Sequence, residues 1–107
     1  MEKKFRLRTS KDFLQFKSGK RTYSDGFLRI LFRFNCIQYS RVGFSIGKNV
    51  GNAVIRNKMK RRLREIVVTS DLLSSFNGDL IIIAKPNLVK ASFDDMRNSL
   101  INLVKRI

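Results

Sequence analysis

The first half of the chain has the alternating pattern of β-strands. From Phe27 to Phe34 one face is apolar, while the other mixes arginine with apolar groups. A weaker extended segment is predicted at 21–23, and a further strand at 41–46. Because only a turn region at 35–39 separates 27–34 from 41–46, we expect these two strands to pair as an antiparallel hairpin.

A fourth strand is predicted much later, from Leu80 to Lys85, between Gly78-Asp79 and Pro86. It is apolar on both faces, which is typical of a strand that is covered on both sides of a sheet. We therefore expect it to be the central, buried strand.

Three helices are predicted from caps and periodicity. Thr9 or Ser10 caps a short first helix that ends near Gly19, and Ser92 caps the last helix. The middle helix runs from about 52 to 68, with apolar residues spaced four, four and three apart. The apolar stripes of the middle and last helices are Ile55, Met59, Leu63 and Ile66, and Phe93, Met96, Leu100, Leu103 and Ile107.

These elements interleave along 107 residues, which is the length of one domain. The chain has no linker, low-complexity stretch or internal repeat. The order favours an α+β fold of two layers, in which helices pack on one sheet, as a single domain over residues 1–107.

Charge adds a functional hypothesis to this fold. The chain has 23 Lys and Arg against 8 Asp and Glu, a net charge of +15. A field of that sign attracts polyanions. Nucleic acid is the first candidate partner, and an anionic membrane surface is the second. The apolar stripes are used by the predicted core, which disfavours the membrane surface.

Composition excludes several chemistries. Histidine is absent, which removes His-based triads, His general bases and most zinc sites. The single cysteine, Cys36, allows no intramolecular disulfide and is interpreted as a small buried hydrophobe. No apolar run approaches the roughly 20 residues of a membrane span. The first residues resemble no signal peptide, so we expect a cytoplasmic protein.

The middle helix concentrates the charge. On a wheel of about 100° per residue its apolar stripe occupies one side, and cations occupy most of the rest. Solvated helix faces usually alternate in sign, and this one has only Glu65 for relief. Arginine suits phosphate because its fork donates two hydrogen bonds. The predicted RNA-binding residues on this helix are Arg56, Asn57, Lys58, Lys60, Arg61 and Arg64.

Three further features have alternative interpretations. The segment 43–49 fails the phosphate-loop pattern, so Lys48 is better interpreted as one more phosphate contact. Phe13 and Phe16, three residues apart, indicate either core packing or a stacking platform for single-stranded RNA. Asp94 and Asp95 lie in the first turn of a predicted helix, where acids favour the helix dipole, so we predict no catalytic carboxylates.

A long ordered segment resembles the signature of the bacterial ribonuclease P protein family. Weaker matches flank it at 6–8, 12–13, 16 with 19, and 81–86, so the resemblance covers nearly the whole chain. The core of the match is Gly51-Asn52-Ala53-Val54-Ile55-Arg56-Asn57-Lys58-Met59-Lys60-Arg61-Arg62-Leu63-Arg64-Glu65.

The resemblance implies a fold and partners. The fold would be an α-β-β-β-α-β-α sandwich similar to a ribosomal-protein domain, with a left-handed crossover. The partners would be a catalytic RNA subunit and the 5′ leader of precursor tRNA, with no membrane and no obligate protein partner. The RNA, with magnesium, would perform the hydrolysis; the protein would supply no catalytic residue, and any metal bound by the protein itself is undefined.

The resemblance also implies where each partner lies. The RNA subunit would contact the middle helix, and the leader would occupy a cleft between the first helix and the sheet. That cleft would be lined by Phe13, Phe16, Ile30 and Ser45, together with Lys48.

Two departures from the family pattern affect this assignment. Lys58 stands where the family usually has arginine, and the first helix is one residue short between Phe13 and Gly19. The second departure leaves open which of Phe13 and Phe16 faces the leader. The alternative function is a ribosomal or chaperone-like RNA-binding protein that has no role in cleavage.

Overall fold

The computed structural model describes residues 3–7, 20–35, 37 and 39–107. The predicted first helix, with Phe13 and Phe16, and Cys36 lie outside these residues. Short 3-10 helices lie at Lys3–Phe5, Leu72–Ser74 and Pro86–Lys90. The strands and α-helices are β1 (Arg21–Ser24), β2 (Leu28–Arg33), β3 (Arg41–Ser45), α1 (Ala53–Thr69), β4 (Asp79–Ala84) and α2 (Phe93–Val104).

The four strands form one sheet in the order β1-β2-β4-β3. β1 pairs with β2, and β2 with β4, both antiparallel, while β3 pairs with β4 in parallel. The predicted hairpin of β2 and β3 is therefore wrong, because β4 lies between them. β4 is the most apolar strand, and its position inside the sheet buries both of its faces. The prediction that this segment forms the central, buried strand is therefore confirmed.

The parallel pair is connected through α1, so β3, α1 and β4 form a crossover unit. This agrees with the predicted α+β architecture in which the helices pack against one sheet. The left hand of the crossover stays a prediction, because strand order and pairing do not define it.

The two faces of the sheet differ. Side chains of β2, β3 and β4 on one face pack with both helices in the main core. Leu28, Ile30 and Ile82 belong to this face and are fully buried. On the other face a smaller cluster contains buried Leu7 and Ile81, with Leu31 and Ile83 packed against it.

The helices begin where the sequence predicts. The Asn52 side chain accepts the Ile55 N–H at 3.0 Å and caps α1. Ser92 and Asp95 form the reciprocal capping box of α2. The predicted stripe of α1 is confirmed, since Met59, Leu63 and Ile66 are buried; the predicted stripe of α2 is confirmed by buried Met96, Leu100 and Leu103.

One acidic side chain stabilises each end of the sheet. Where β2 begins, the Asp25 carboxylate accepts the N–H groups of Phe27 and Leu28 and the hydroxyl of Ser99 on α2. Where β2 ends, the buried Asp79 carboxylate accepts two hydrogen bonds from the Arg41 guanidinium, at 2.9 and 2.8 Å, and one from Asn35 at 2.7 Å. Both acids therefore connect segments that are distant in sequence.

Candidate RNA-binding surface

The cations of α1 form two sets. Arg56, Lys60 and Arg64 follow one another at a spacing of four, so they lie along one flank of the helix. Lys58 lies about 120° around the helix from the nearest member of this flank and Arg61 about 60° from it, and both are exposed. The sequence analysis grouped all five as one surface, whereas the structure separates the flank beside the sheet from the face that points outward.

A pocket of about 240 Å³ lies between this flank and the end of β3. Its apolar wall comes from the strand and the first residue of the helix, and its polar wall comes from the helix flank. The lining residues are Phe44, Ile46, Ala53, Arg56, Asn57 and Lys60. The crossover from β3 into α1 creates this pocket, since it places the end of the strand beside the first turns of the helix.

Two arginines at this flank have unsatisfied donors. The Nε atoms of Arg56 and Arg64 are buried and donate to no acceptor among the described residues. A buried donor without a partner costs free energy, so such groups are usually paired. The Arg64 guanidinium also lies 6.0 Å from the ring centroid of Phe44, within the range of a cation–π contact. The two residues are eight positions apart, about 12 Å along the helix axis, so an extended polyanion suits this flank better than a single small anion.

The electrostatic environment of the pocket is strongly positive. The first turn of α1 contains no acidic side chain, so the positive end of the helix dipole is not neutralised there. Lys48 is exposed on the turn that precedes the helix, although it does not line the pocket. Glu65 is the single acidic residue of α1. The arrangement favours an extended anion such as a nucleic-acid backbone.

Comparisons with known proteins identify the family. A profile described as "Ribonuclease P" matches residues 1–107. The chain is 36% identical over 107 residues to the ribonuclease P protein component of Syntrophomonas wolfei. The match covers 99% of this chain and 89% of that relative. The chain belongs to the ribonuclease P protein family.

Solved structures of family members agree. The ribonuclease P protein of Thermotoga maritima matches with a TM-score of 0.84 and 32% identity, covering 95% of this chain and 96% of that one. The Staphylococcus aureus protein matches with a TM-score of 0.86 and 28% identity, covering 95% and 94%. The chain therefore has the role of the protein subunit of ribonuclease P, the ribonucleoprotein endonuclease that matures tRNA 5′ ends, and it associates with an RNA subunit.

One residue of the predicted leader cleft is corrected by the structure. Ile30 is 0% exposed and packs in the main core with Ile82, on the helix side of the sheet. Ser45 is exposed and lies on the opposite face, beside Ile83. Ile30 therefore cannot line a cleft together with Ser45. Its neighbour Leu31 is half-buried on the same face as Ser45, because successive side chains of a strand point to opposite faces.

Phe44 belongs to the cationic surface although no pattern in the sequence indicated it. Phe44 and Arg64 are 20 positions apart, and only the return of α1 alongside β3 brings them together. The described residues contain no group of three or more His, Cys, Asp or Glu that could hold a metal ion. Within the same residues, no helix is long and apolar enough to cross a membrane.

Proposed function

We propose that the flank of α1 binds the backbone of the catalytic RNA subunit and holds it beside the bound substrate. The observation that carries this proposal is the row of cations along one flank, with buried, unpartnered Nε donors on Arg56, which lines the pocket, and on Arg64 two turns further along the helix. Phosphate oxygens accept bidentate hydrogen bonds from arginine. Lys58, Arg61 and Lys48 would contact more distant phosphates.

We further propose that the 5′ leader of precursor tRNA lies against the sheet face that carries Leu31 and Ser45. Phe13 and Phe16 remain the proposed aromatic wall of this site. Hydrolysis would belong to the RNA subunit and its magnesium ions, because the chain has no histidine, the side chain that most often acts as a general base. A cytoplasmic location remains an expectation from the sequence.

Reconstitution of 5′ processing tests whether the RNA subunit or the protein performs the hydrolysis. Purified protein alone should not cleave precursor tRNA, whereas protein, RNA subunit and magnesium together should release the leader at low salt. Hydrolysis by RNA-free protein would overturn the proposal. An RNA-binding activity that never changes 5′ processing would instead favour the ribosomal or chaperone-like alternative.

Charge reversal tests the placement on α1. Arg56→Glu with Arg61→Glu should abolish assembly with the RNA subunit in a gel shift, while circular dichroism shows an intact fold. The matched control is Lys90→Glu with Lys105→Glu, which changes the same charge at exposed positions outside α1. Equal losses in the two double variants would show that net charge, rather than α1, determines assembly.

Alanine substitutions at the neighbouring residues Leu31 and Ile30 test which face of the sheet binds the leader. Leu31→Ala should weaken binding of precursor tRNA to the holoenzyme while leaving the affinity for mature tRNA unchanged. Ile30→Ala should instead lower the free energy of unfolding by about 2–5 kcal/mol, because it leaves a cavity in the core. A precursor-specific defect from Ile30→Ala, with unchanged stability, would contradict the assignment of faces.

A further inference from the structure

At the end of the sheet farthest from the start of α1, the structure presents two exposed aromatic rings. Phe34 follows β2 and is 63% exposed, and Tyr39 precedes β3 and is 37% exposed. Among the described residues, these are the two large aromatic side chains that are classed as exposed. A single exposed ring is ordinary on a protein surface, but two at the same end call for a common explanation.

Each ring has a cation over it. The Arg21 guanidinium lies 5.4 Å from the centroid of Phe34, and the Lys4 ammonium lies 5.7 Å from that of Tyr39. The same ammonium lies 5.0 Å from the ring of Phe5. Exposed cation–π contacts stabilise a fold only weakly, by about 0.5–1 kcal/mol. The pairing of ring and cation is, however, the combination with which proteins bind unpaired nucleotides, base on ring and phosphate on cation.

Both rings are held in place from beneath. Phe34 packs edge to face on fully buried Phe32, with centroids 5.1 Å apart, and Tyr39 packs edge to face on Phe5 at 5.6 Å. Asn35 donates to the Tyr39 carbonyl and to buried Asp79, which connects the backbone of Tyr39 to the end of the sheet. Rings that are fixed in this way lose little conformational entropy when a base stacks on them.

Their spacing suits one strand of RNA. Phe34 extends β2 and Tyr39 precedes β3, and these strands are separated by β4, so the backbones at the two positions are about two strand spacings, roughly 10 Å, apart. Beside Tyr39 lies a depression of about 540 Å³ that also contains the polar side chains of Ser74, Asn77 and Asp71. A base stacked on Tyr39 could offer its polar edge to these groups.

We propose that this end of the sheet, defined by Phe34, Tyr39, Arg21 and Lys4, is a second RNA-binding surface that holds unpaired nucleotides by stacking. We call it the aromatic surface. Single-stranded RNA fits better than a membrane or a protein because cations accompany both rings in a chain of net charge +15. The other exposed apolar side chains among the described residues, Val54, Val68 and Val89, do not line the depression beside Tyr39.

The first test compares two oligonucleotides of equal charge. Hexauridylate and a hexamer of abasic ribose phosphates are titrated by fluorescence anisotropy against the full chain and against Phe34→Leu with Tyr39→Leu. The double variant should lose about tenfold or more in affinity for hexauridylate, since stacking contributes about 1–3 kcal/mol per base, and nothing for the abasic hexamer.

The matched control is Val68→Ala with Val89→Ala, which trims two exposed apolar side chains outside the aromatic surface and should change neither affinity. Unchanged hexauridylate binding by the ring variant would overturn the proposal. So would an equal loss for both oligomers, which would indicate a general effect on charge or fold. Thermal unfolding of each variant identifies a folding defect directly.

A second experiment locates the contact. Hexauridylate that carries 4-thiouridine is cross-linked to the wild-type chain and digested with trypsin. Cleavage after Arg33 and Arg41 releases one peptide, 34–41, that contains both rings, whereas Phe13 and Phe16 are released in the peptide 12–17. Cross-links in 34–41 are expected. Cross-links confined to α1 or to 12–17 would overturn the proposal and would leave the assignment of α1 untouched.

A second copy of the chain is the alternative occupant of the aromatic surface, and a measurement of oligomeric state tests for it. Sedimentation velocity of the wild-type chain without RNA should give a monomer. A dimer that dissociates in the Phe34→Leu and Tyr39→Leu variant would show that the rings bind a second copy of the chain, and that result would also overturn the proposal.

Discussion

At one end of the sheet, where α1 begins, cations are concentrated along a helix flank beside one half-buried ring, Phe44. At the opposite end, at Phe34 and Tyr39, the rings are exposed and each has a single cation over it. The first surface has many donors and little aromatic area, and the second has aromatic area with few donors.

This difference separates two ways of binding the same polymer. Phosphate contacts release counterions and make affinity depend strongly on salt, by about 0.9 in the log–log slope for each contact with a duplex. Stacking tolerates any base because every base has a π-face, and a ring that contacts a base neutralises no phosphate, so it adds nothing to the salt slope. We therefore expect α1 to supply salt-dependent affinity and the aromatic surface to supply contacts that persist at higher salt.

The largest expected effect comes from the flank of α1. Arg56→Glu with Lys60→Glu should reduce affinity for the catalytic RNA by on the order of 1,000-fold, because four units of charge change at the phosphate contacts. Lys58→Glu with Arg61→Glu makes the same charge change on the outward face and should cost less. Filter binding across a salt series measures both affinities and both slopes.

The dependence of RNA affinity on salt shows whether the flank alone or all the cations of α1 contact phosphates. If the pocket flank makes the closer contacts, the first variant loses about two from the slope and the second loses less. Equal losses in affinity and slope would mean that α1 acts as one undivided cationic surface. The Phe34→Leu and Tyr39→Leu variant should leave the slope unchanged.

Asp79 provides the next largest effect, at the opposite end. Asp79→Ala removes a carboxylate that is 1% exposed and leaves the Arg41 guanidinium, 23% exposed, without its bidentate partner. We expect the free energy of unfolding to fall by about 3 kcal/mol in urea titrations, in the range for a broken buried ion pair. Asp94→Ala, which removes a surface pair with Arg97, should cost less than about 1 kcal/mol.

The Asp79→Ala variant also bears on the aromatic surface. The loop that carries Tyr39 depends on Asn35, and Asn35 depends on Asp79. Hexauridylate binding should therefore weaken in the folded variant while assembly through α1 continues. Loss of both activities in a folded protein would mean that the two ends of the sheet are coupled.

Local signals predicted the helices well. The predicted cap at Ser92, the start of the middle helix near 52 and the apolar stripes depend on residues within one or two turns, so local sequence predicts them. The pairing of β2 with β3 was predicted wrongly because β4, which is much later in the sequence and begins at Asp79, lies between them in the sheet. The clue was present in the apolar faces of β4, which require a neighbour on each side.

The candidate site was predicted unevenly for the same physical reason. The cations of α1 are contiguous and could be found from a helical wheel. The alternation of β2 already put Ile30 on the apolar face that the structure buries; only the family resemblance assigned it to the leader cleft. The Phe44–Arg64 contact and the rings at 34 and 39 depend on tertiary packing, which no local pattern encodes.

A smaller, pH-dependent effect is expected at Asp25, the acid at the α1 end. Burial raises the pKa of this carboxyl, but hydrogen bonds from Ser99, Leu28 and Phe27 and the charge of Lys85 outweigh it, so the pKa lies below its ordinary value. A lowered folded pKa stabilises the fold above the unfolded pKa, near pH 4, and this contribution disappears as the pH falls through the folded pKa.

Asp25→Asn should therefore cost about 1–2 kcal/mol at neutral pH, and the difference from wild type should shrink below about pH 4. Ser99→Ala removes one donor, so the folded pKa of Asp25 rises towards its ordinary value, and the stability lost on acidification should be smaller and complete at a higher pH than in the wild type. Urea titrations from pH 7 to pH 3 measure both. A difference that grows on acidification would reverse the sign and contradict the assigned hydrogen bonds.

The smallest effect concerns Asp71, where α1 ends beside the aromatic surface. Its backbone is left-handed, with φ of 50°, and its carboxylate lies at the negative end of the helix dipole. Asp71→Asn keeps a residue type that tolerates this conformation and removes the unfavourable charge, so it should stabilise the fold by about 0.5 kcal/mol. Asp71→Ala removes the same charge but should not stabilise, because alanine is strained at this φ.

Since Asp71 also lines the depression beside Tyr39, removing its charge should raise affinity for hexauridylate about twofold, with no change in assembly through α1. Weaker hexauridylate binding by Asp71→Asn would indicate that the carboxylate accepts a hydrogen bond from a base rather than repelling its phosphate.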